Sequence, residues 1–185
     1  YNLGVVFTNA PQTDLYRGKS GGAGATDPDG FDTHSRTWFM YAGLNQQLTQ
    51  HQDDPNRGVS TSFSMSLADQ STNYMHQVYA ASLRYRGLFD ARPEDWIGFG
   101  LTWIDMSSQY ARNQRYLNSL SGVSDYNNPA WHPVPGHSLN GEFYYRFRPV
   151  SWLELQPGIQ YWHHPGGVSR TQDAWVTELK TVVTF

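Results

Sequence analysis

The chain has 185 residues, a formal net charge of −3 at pH 7 and no basic run, which argues against a nucleic-acid-binding protein. It contains no cysteine, which excludes disulfides and thiolate metal sites, and no apolar run of the roughly 18 residues that a transmembrane helix needs. Its mean hydropathy of −0.62 is low, yet 15% of its residues are aromatic, a combination typical of a β-barrel with alternating strands and polar loops.

The first part of the chain predicts two strands joined by a long connection. Residues 1–8 and 36–48 have the composition of strands, although neither shows clearly which of its faces is apolar. Between them, residues 9–35 include the segment GKSGGAGATDPDG. Its glycines predict a flexible outer loop.

Alternation of apolar and polar residues predicts the strands that follow. The clearest case is residues 58–68, where Val59, Phe63 and Leu67 share one face and four serines occupy the other. The same two-residue period runs through residues 76–89, 96–106, 137–147, 151–162 and 174–185. Many of these eight strands have ten or more residues. That is long for a soluble domain and suits tilted membrane-spanning strands of about 9–11 residues.

The connections alternate between short and long. Residues 90–94 and 148–150 are short and contain proline, whereas residues 9–35, 107–136 and 163–173 form longer loops. With the C-terminus on the periplasmic side, the proline turns lie there and the longer loops lie outside, as in outer-membrane barrels. The turn at residues 49–57 is somewhat long for its side. Residues 110–120 could form a short helix that either narrows the mouth or caps the rim.

A soluble β-sandwich or lipocalin-like barrel is the alternative interpretation, because alternation and polar loops occur there too. Such a protein would turn its apolar faces inward. Strand length, the asymmetry of the loops and the aromatic C-terminal residue, Phe185, favour a membrane barrel.

The C-terminal part of the chain resembles one family of porins. From residue 151 it reads SWLELQPGIQYWHHPGGV, and it ends with AWVTELKTVVTF. A Trp-Leu-x-Leu-Gln-Pro-x-x-Gln-Tyr strand that leads into a loop opening with Pro-Gly-Gly resembles the C-terminal end of the carbohydrate-selective porins of the OprB family. The matching residues are Trp152, Leu153, Leu155, Gln156, Pro157, Gln160, Tyr161, Pro165, Gly166 and Gly167. Further upstream only the rhythm of strands and loops agrees.

This resemblance implies an all-β, antiparallel transmembrane β-barrel of sixteen strands in the outer membrane of a Gram-negative bacterium. We therefore expect residues 1–185 to be a single β-barrel domain that forms the C-terminal half of a porin and is incomplete at its N-terminus, in keeping with the start at Tyr1. The alternative is a complete eight-stranded barrel, whose lumen side chains would just fill. Inward residues such as Ser62, Ser64 and Gly98 are too small for that, which favours a wide pore.

Polar side chains opposite the apolar face are predicted to line the pore. Counting from the periplasmic strand ends places Arg84, Glu142, Gln156 and Lys180 at one level, subject to the shear of the barrel. Other candidates lie one or two steps from that level: Arg86, Arg146, Glu154, Gln160 and Glu178. These donors and acceptors suit sugar hydroxyls. Trp152 and Trp162 are predicted to offer flat ring faces to sugars, provided that their rings face the lumen. The alternative is that the charges only solvate the wall and Trp152 anchors the barrel at the membrane interface.

The predicted function is selective passive diffusion of small carbohydrates, with no catalytic residue and no cofactor, and with sugars and outer-membrane lipid as partners. Two alternatives stay open: an outer-membrane barrel enzyme that hydrolyses lipid or polymer, and a structural or export barrel of a larger envelope assembly. Association with copies of itself or with other envelope proteins also stays open. His163 and His164 are not expected to bind a metal, because adjacent strand residues point to opposite faces and no third ligand is evident.

Overall fold

The structure, a computed structural model of the chain, describes residues 1–184. The end of the last strand at Phe185, and the argument from an aromatic C-terminal residue, lie outside the described residues. The helix and strands follow one another as β1 (Asn2–Thr8), β2 (Gln12–Gly18), β3 (Phe31–His34), β4 (Thr37–Gln47), β5 (Gly58–Ala68), β6 (Met75–Arg86), β7 (Trp96–Met106), α1 (Ser108–Ser121), β8 (His137–Val150), β9 (Leu153–His163) and β10 (Ala174–Val183).

Eight of these strands form one antiparallel sheet in the order β1-β4-β5-β6-β7-β8-β9-β10. Strand β1 has 7 residues, and the other seven strands have between 10 and 14. The prediction of an all-β antiparallel sheet with eight strands is confirmed. In the part of the chain that the structure describes, β1 and β10 each pair on one side only, so the sheet is not closed into a barrel.

Two strand ends differ from the prediction by three residues. Strand β8 continues to Val150, which pairs with Leu153, so the turn predicted at residues 148–150 lies at residues 151–152 instead. Strand β6 ends at Arg86 rather than at residue 89. There Gly87 adopts a left-handed backbone with φ of 67°, and its carbonyl accepts hydrogen bonds from Arg57 Nε at 3.1 Å and Nη2 at 2.7 Å.

The sheet buries almost no apolar side chain. Among residues 1–184, the buried apolar residues are Ala68 and Ala111. On the alternating apolar face, Leu83 and Phe99 are 50% and 47% exposed, whereas the polar Gln156 on the other face is buried. A sandwich or lipocalin-like barrel would enclose its apolar rows in a core. Within residues 1–184 the structure therefore lacks the enclosed apolar core that a sandwich or lipocalin-like barrel would have.

The connection predicted as a flexible loop contains a second sheet, the hairpin of β2 and β3. The carboxylate of Asp14 holds it together. It accepts hydrogen bonds from the backbone N–H groups of Tyr16 at 2.7 Å and Arg17 at 2.6 Å, and it pairs with His34 at 2.7 Å. Burial alone would raise the pKa of Asp14, but the contacts with His34 and the two N–H groups outweigh it, and the pKa is lowered.

Helix α1 confirms the helix predicted over residues 110–120 and extends it at both ends. It begins after Ser107, a fully buried residue whose Oγ accepts a hydrogen bond from the N–H of Tyr110 at 3.2 Å and donates to the carbonyl of Gln70. It ends at Gly122, which has a left-handed backbone with φ of 65°. Within residues 1–184 the structure contains no helix with both the length and the apolar character needed to cross a membrane.

The hairpin and α1 pack together beyond one end of the main sheet, and we call them the outer layer (residues 12–34 and 108–121). The hydroxyls of Thr26 and Tyr116 lie 2.9 Å apart, and the guanidinium of Arg112 lies 4.1 Å from the ring centre of Tyr16. The backbone N–H of Leu15 donates to a carbonyl in the connection between β5 and β6 at 2.8 Å. The two longest connections, residues 9–36 and 107–136, thus contribute a folded layer at one end of the sheet, and the connections at the other end, residues 48–57, 87–95 and 151–152, have ten residues or fewer.

We expect Ser107→Ala to loosen the start of α1, because the N–H of Tyr110 loses its acceptor. Loss of an N-cap costs about 1 kcal/mol of helix stability. Amide hydrogen exchange measured by mass spectrometry should therefore become faster in residues 108–112 and stay unchanged in the strands. Ser121→Ala, at the exposed end of the same helix, is the matched control. Equal acceleration of residues 108–112 in both variants would contradict the capping role.

Candidate functional site

One face of the main sheet carries the residues predicted to line a pore, and we call it the polar face. Ten of the eleven candidates lie at even-numbered positions of β6, β8, β9 and β10. Because successive side chains of a strand point to opposite sides, they share one side of the sheet. The eleventh candidate, Trp152, lies in the turn between β8 and β9 and is 54% exposed. The structure therefore does not bring Trp152 together with the others.

A lysine between two glutamates forms the first group on this face, the lysine cluster (Glu142, Gln160, Trp162, Glu178 and Lys180). Lys180 Nζ lies 3.0 Å from Glu142 Oε1 and 2.8 Å from Glu178 Oε1. Gln160 Nε2 donates to Glu178 Oε2 at 2.9 Å, and Gln160 Oε1 accepts from Trp162 Nε1 at 3.0 Å. One cation between two carboxylates leaves this cluster with one net negative charge.

Gly158 allows the lysine cluster to form. It lies on β9, where it pairs with Tyr144 of β8 on one side and with Glu178 of β10 on the other. A Cβ at Gly158 would lie 3.1 Å from Glu178 Oε1 and 3.2 Å from its Cγ. Since no side chain stands there, residues of β10 can reach across β9 to Glu142.

Two arginines and a tryptophan form a second group, on β6 and β7. The guanidinium carbons of Arg84 and Arg86 each lie 5.7 Å from the ring of Trp96, close enough for cation–π attraction. Arg86 Nη2 also lies 3.9 Å from Glu94 Oε1, in the turn that precedes β7.

A third group lies beside it, at the end of β8 and the start of β9. Arg146 Nε donates to Gln156 Oε1 at 3.0 Å and lies 3.5 Å from Glu154 Oε1. Arg148 Nε donates to the other oxygen of Glu154 at 3.2 Å. The second and third groups meet in a cavity of about 230 Å³, the arginine pocket, which is lined by Arg86, Glu94, Trp96, Arg146, Phe147, Arg148 and Glu154.

Glycines alternate with large side chains between these groups. Gly98 of β7 pairs with Arg84 on one side and Tyr144 on the other. A Cβ added to Gly98 would lie 2.2 Å from Tyr144 Cζ, so the tyrosine ring covers β7 at this point. Gly100 is open, because a Cβ there would have only the carbonyl oxygen of Ala81 within reach, at 3.9 Å.

The register separates the residues predicted to share one level. Gln156 pairs with Lys180, whereas Glu142 pairs with Gln160. Arg84 lies on β6, two strands away from Glu142 on β8. A long side chain such as that of Lys180 can reach residues in a neighbouring row of paired residues as well as those in its own row. A common height along the axis of a tilted barrel stays a prediction.

Sequence reasoning missed several residues of this face. Trp96, Asn140 and Tyr144 stand at even-numbered positions of predicted strands, so the alternation that selected the other candidates could have found them. Glu94 lies in a turn and Arg148 in a strand end that was predicted to be a turn. Because neither Glu94 nor Arg148 lay in a predicted strand, the alternation of side chains could not assign either of them to the polar face.

The expectation for the adjacent histidines was based on a wrong premise. His163 ends β9, but His164 lies beyond the strand with a left-handed backbone of φ 49°, and the two rings stack 3.7 Å apart. Asp173 is a third potential ligand, with one ligand atom from each of the three residues within 4.8 Å of the others. Hydrogen bonds from the Tyr161 hydroxyl, His163 and the His164 N–H lower the pKa of Asp173 to about 2.

Comparison with known proteins covers the entire chain. Residues 1–185 match the family described as "Carbohydrate-selective porin, OprB family". "Porin B" of Pseudomonas aeruginosa is 31% identical over 185 residues, which make up 100% of this chain and 41% of that protein. The chain therefore spans about two fifths of the length of the curated relatives it matches.

Solved structures are similar as well. The "High pH structure of Pseudomonas putida OprB" aligns with a TM-score of 0.95 at 35% identity, over 99% of this chain and 44% of that one. The "Low pH structure of Pseudomonas putida OprB" aligns with a TM-score of 0.53 at 27% identity, over 84% of this chain and 38% of that one. The similarity noted in the last residues of the sequence thus extends over the whole chain.

We expect Gly98→Ala to displace the ring of Tyr144, because the new Cβ would lie 2.2 Å from that ring. The displacement should offset the gain in stability of about 0.5–1 kcal/mol that alanine normally has over glycine within a strand. The free energy of unfolding is measured by denaturant titration of the intact protein folded in lipid vesicles.

Gly100→Ala, on the same strand and the same face, is the matched control and is expected to raise the free energy of unfolding by about 0.5–1 kcal/mol. In a Tyr144→Ala background, Gly98→Ala should give a similar gain. Equal changes in the free energy of unfolding at both glycines in the parent protein would contradict the steric explanation.

Proposed function

The chain belongs to the OprB family of carbohydrate-selective porins, and we propose that it forms one wall of an outer-membrane pore through which small sugars diffuse. The observation that carries this proposal is the division of the sheet into two faces. One is apolar and uncovered, and the other bears the lysine cluster and the arginine pocket. The first suits acyl chains and the second suits a water-filled lumen. Passive diffusion needs neither turnover nor a cofactor.

The chemistry of the polar face fits sugars as solutes. Sugar hydroxyls both donate and accept hydrogen bonds, so a wall that favours sugars needs groups of both kinds. The carboxylates of Glu142 and Glu178 stand beside the ammonium of Lys180, whose side chain is 53% exposed and can be reached by a passing solute. The arginine pocket likewise sets guanidinium groups beside a carboxylate.

Groups that line a pore determine which solutes pass. We therefore assign the pore lining to the candidates that the structure brings onto the polar face, and we leave out Trp152. These residues are Arg84, Arg86, Glu142, Arg146, Glu154, Gln156, Gln160, Trp162, Glu178 and Lys180.

The unpaired edges of β1 and β10 indicate what the rest of the porin supplies. In lipid an unpaired backbone N–H or C=O group costs several kcal/mol, so open sheet edges do not occur there. We propose that the part of the porin that this chain does not span pairs with both edges and closes a wider barrel. The eight strands would then be half of the sixteen that the family resemblance implies.

The two ends of the sheet suggest its orientation. Outer-membrane barrels have short periplasmic turns and longer external loops. We propose that the outer layer faces the exterior of the cell and that the turn at residues 151–152 faces the periplasm. Solutes would then meet the hairpin and α1 before they reach the lysine cluster.

We expect Lys180→Gln to change both ion selectivity and sugar flux, because it leaves two carboxylates without their cation. In planar bilayers the reversal potential of the intact porin should shift toward cation preference. Loss of one hydrogen-bond donor worth about 0.5–1.5 kcal/mol should slow the entry of mono- and disaccharides about two- to tenfold. Liposome swelling, compared with size-matched uncharged solutes, measures the second effect.

Lys19→Gln is the charge-matched control, since it removes the chain's other lysine, which lies in the outer layer. Its reversal potential and sugar flux should stay close to those of the parent porin. Equal shifts in both variants would mean that the position of the charge is irrelevant, and the role assigned to the lysine cluster would be wrong.

We expect Phe63→Arg to impair folding into vesicles, because Phe63 lies at the centre of β5 on the apolar face and is 44% exposed. An arginine at the bilayer midplane costs about 2–4 kcal/mol in outer-membrane barrels. Ser64→Arg places the same charge one residue further, on the polar face, and should cost much less. If equilibrium folding measurements find that Ser64→Arg loses more folding free energy than Phe63→Arg, the two faces assigned here would have to be reversed.

A further inference from the structure

Three histidines and an aspartate gather at the outer end of β8, β9 and β10, immediately beyond Trp162 of the lysine cluster and away from the arginine pocket. The rings of His163 and His164 stack 3.7 Å apart, and His163 Nδ1 lies 3.0 Å from Asp173 Oδ1. The ring of His137 lies 5.9 Å from that of His164 and stacks on Trp103 at 4.4 Å. The proposed diffusion of sugars makes no use of this cluster.

We propose that His163, His164 and Asp173 bind a divalent first-row transition-metal ion of the Zn²⁺ type. Two imidazoles and a carboxylate form a donor set that such ions accept, with metal–nitrogen and metal–oxygen distances of about 2.0–2.2 Å. Two ligand atoms at those distances and at the tetrahedral angle that Zn²⁺ prefers lie roughly 3.4 Å apart. His163 Nδ1 lies 3.0 Å from Asp173 Oδ1, and one ligand atom from each of the three residues lies within 4.8 Å of the others, so the imidazole rings would rotate out of their stacked arrangement to bind one ion.

The backbone of His164 is what brings the second imidazole to the site. Among residues 1–184, His164 is the only residue other than glycine with a positive φ. A non-glycine residue in the left-handed region is uncommon and is held there by its surroundings. Here the carbonyl of His164 accepts a hydrogen bond from Gly167 at 2.8 Å, and its N–H donates to Asp173 Oδ1 at 3.1 Å. In an extended continuation of β9 the ring would point to the opposite face.

The carboxylate of Asp173 is oriented before any ion binds. The Tyr161 hydroxyl donates to Oδ2 at 2.6 Å, and His163 Nδ1 lies 3.0 Å from Oδ1 and 3.1 Å from Oδ2. A hydrogen bond to the distal oxygen of a carboxylate ligand fixes its orientation and strengthens metal binding. The side chains of His163 and Asp173 are 39% and 38% exposed, so an ion can enter from solvent.

A bound ion would join the end of β9, the turn that follows it and the residue that precedes β10. It would therefore brace the connection between the last two strands. This consequence does not depend on which solute the pore conducts, so the metal site and the proposed function can fail independently of each other.

Titration calorimetry of the intact, detergent-solubilised porin with ZnCl₂ tests the proposal. We expect saturable binding of one Zn²⁺ that His163→Asn, His164→Asn and Asp173→Asn each weaken by more than about tenfold. His132→Asn removes a histidine from another outer connection and should bind Zn²⁺ as the parent does. Circular dichroism identifies the variants that are folded.

Cu²⁺ supplies a readout that a purely structural role would not produce. Electron paramagnetic resonance of the copper-loaded porin should show two coordinated nitrogens in the parent, one in each of the two histidine variants, and two in Asp173→Asn. Absence of saturable Zn²⁺ binding to the parent, or unchanged affinity in all folded variants, would overturn the proposal.

Discussion

The two-residue period of an antiparallel strand is the constraint on which this molecule depends. Because successive side chains point to opposite faces, each strand can present apolar residues to one medium and polar residues to another. In the part of the chain that the structure describes, Ala68 and Ala111 are the buried apolar residues, so no apolar core holds the sheet together. The backbone ladders and the contacts of the polar face do so instead. No described part of this chain covers the apolar face. In the proposed pore, lipid covers it.

Glycines shape the polar face as strongly as the charged residues do. Gly98 and Gly158 stand in one row of paired residues with Arg84, Tyr144 and Glu178. Each glycine leaves room for a long neighbour to lie across its strand, which is how the ammonium of β10 reaches a carboxylate of β8. The arrangement of the wall therefore depends on positions that carry no charge, since a methyl group added to Gly158 would displace Glu178 and one added to Gly98 would displace the ring of Tyr144.

Alternation predicted what depends on the two faces of a strand, and it failed where another interaction decides the structure. It identified six of the eight strands, with composition indicating the other two, and it showed which residues of those six strands share the polar face. It missed the β2–β3 hairpin, because one carboxylate, that of Asp14, holds those short strands together. It misjudged His164, because the two-residue period ends with the strand. The partners of Lys180 could not be predicted, since contacts between strands depend on a register that exists only once the strands have paired.

The outer layer also gives the assembly of such a barrel a direction. The hairpin and α1 are polar, and both are tied to the connection between β5 and β6 through Leu15 and Ser107. In the proposed orientation, a barrel that enters the outer membrane from the periplasm would carry this end through the bilayer, while the turns at the other end would not cross. Leu15 and Ser107 contact a different connection of the chain, so these contacts would form once both connections have crossed. The leading end of the protein would then be the last to complete its fold.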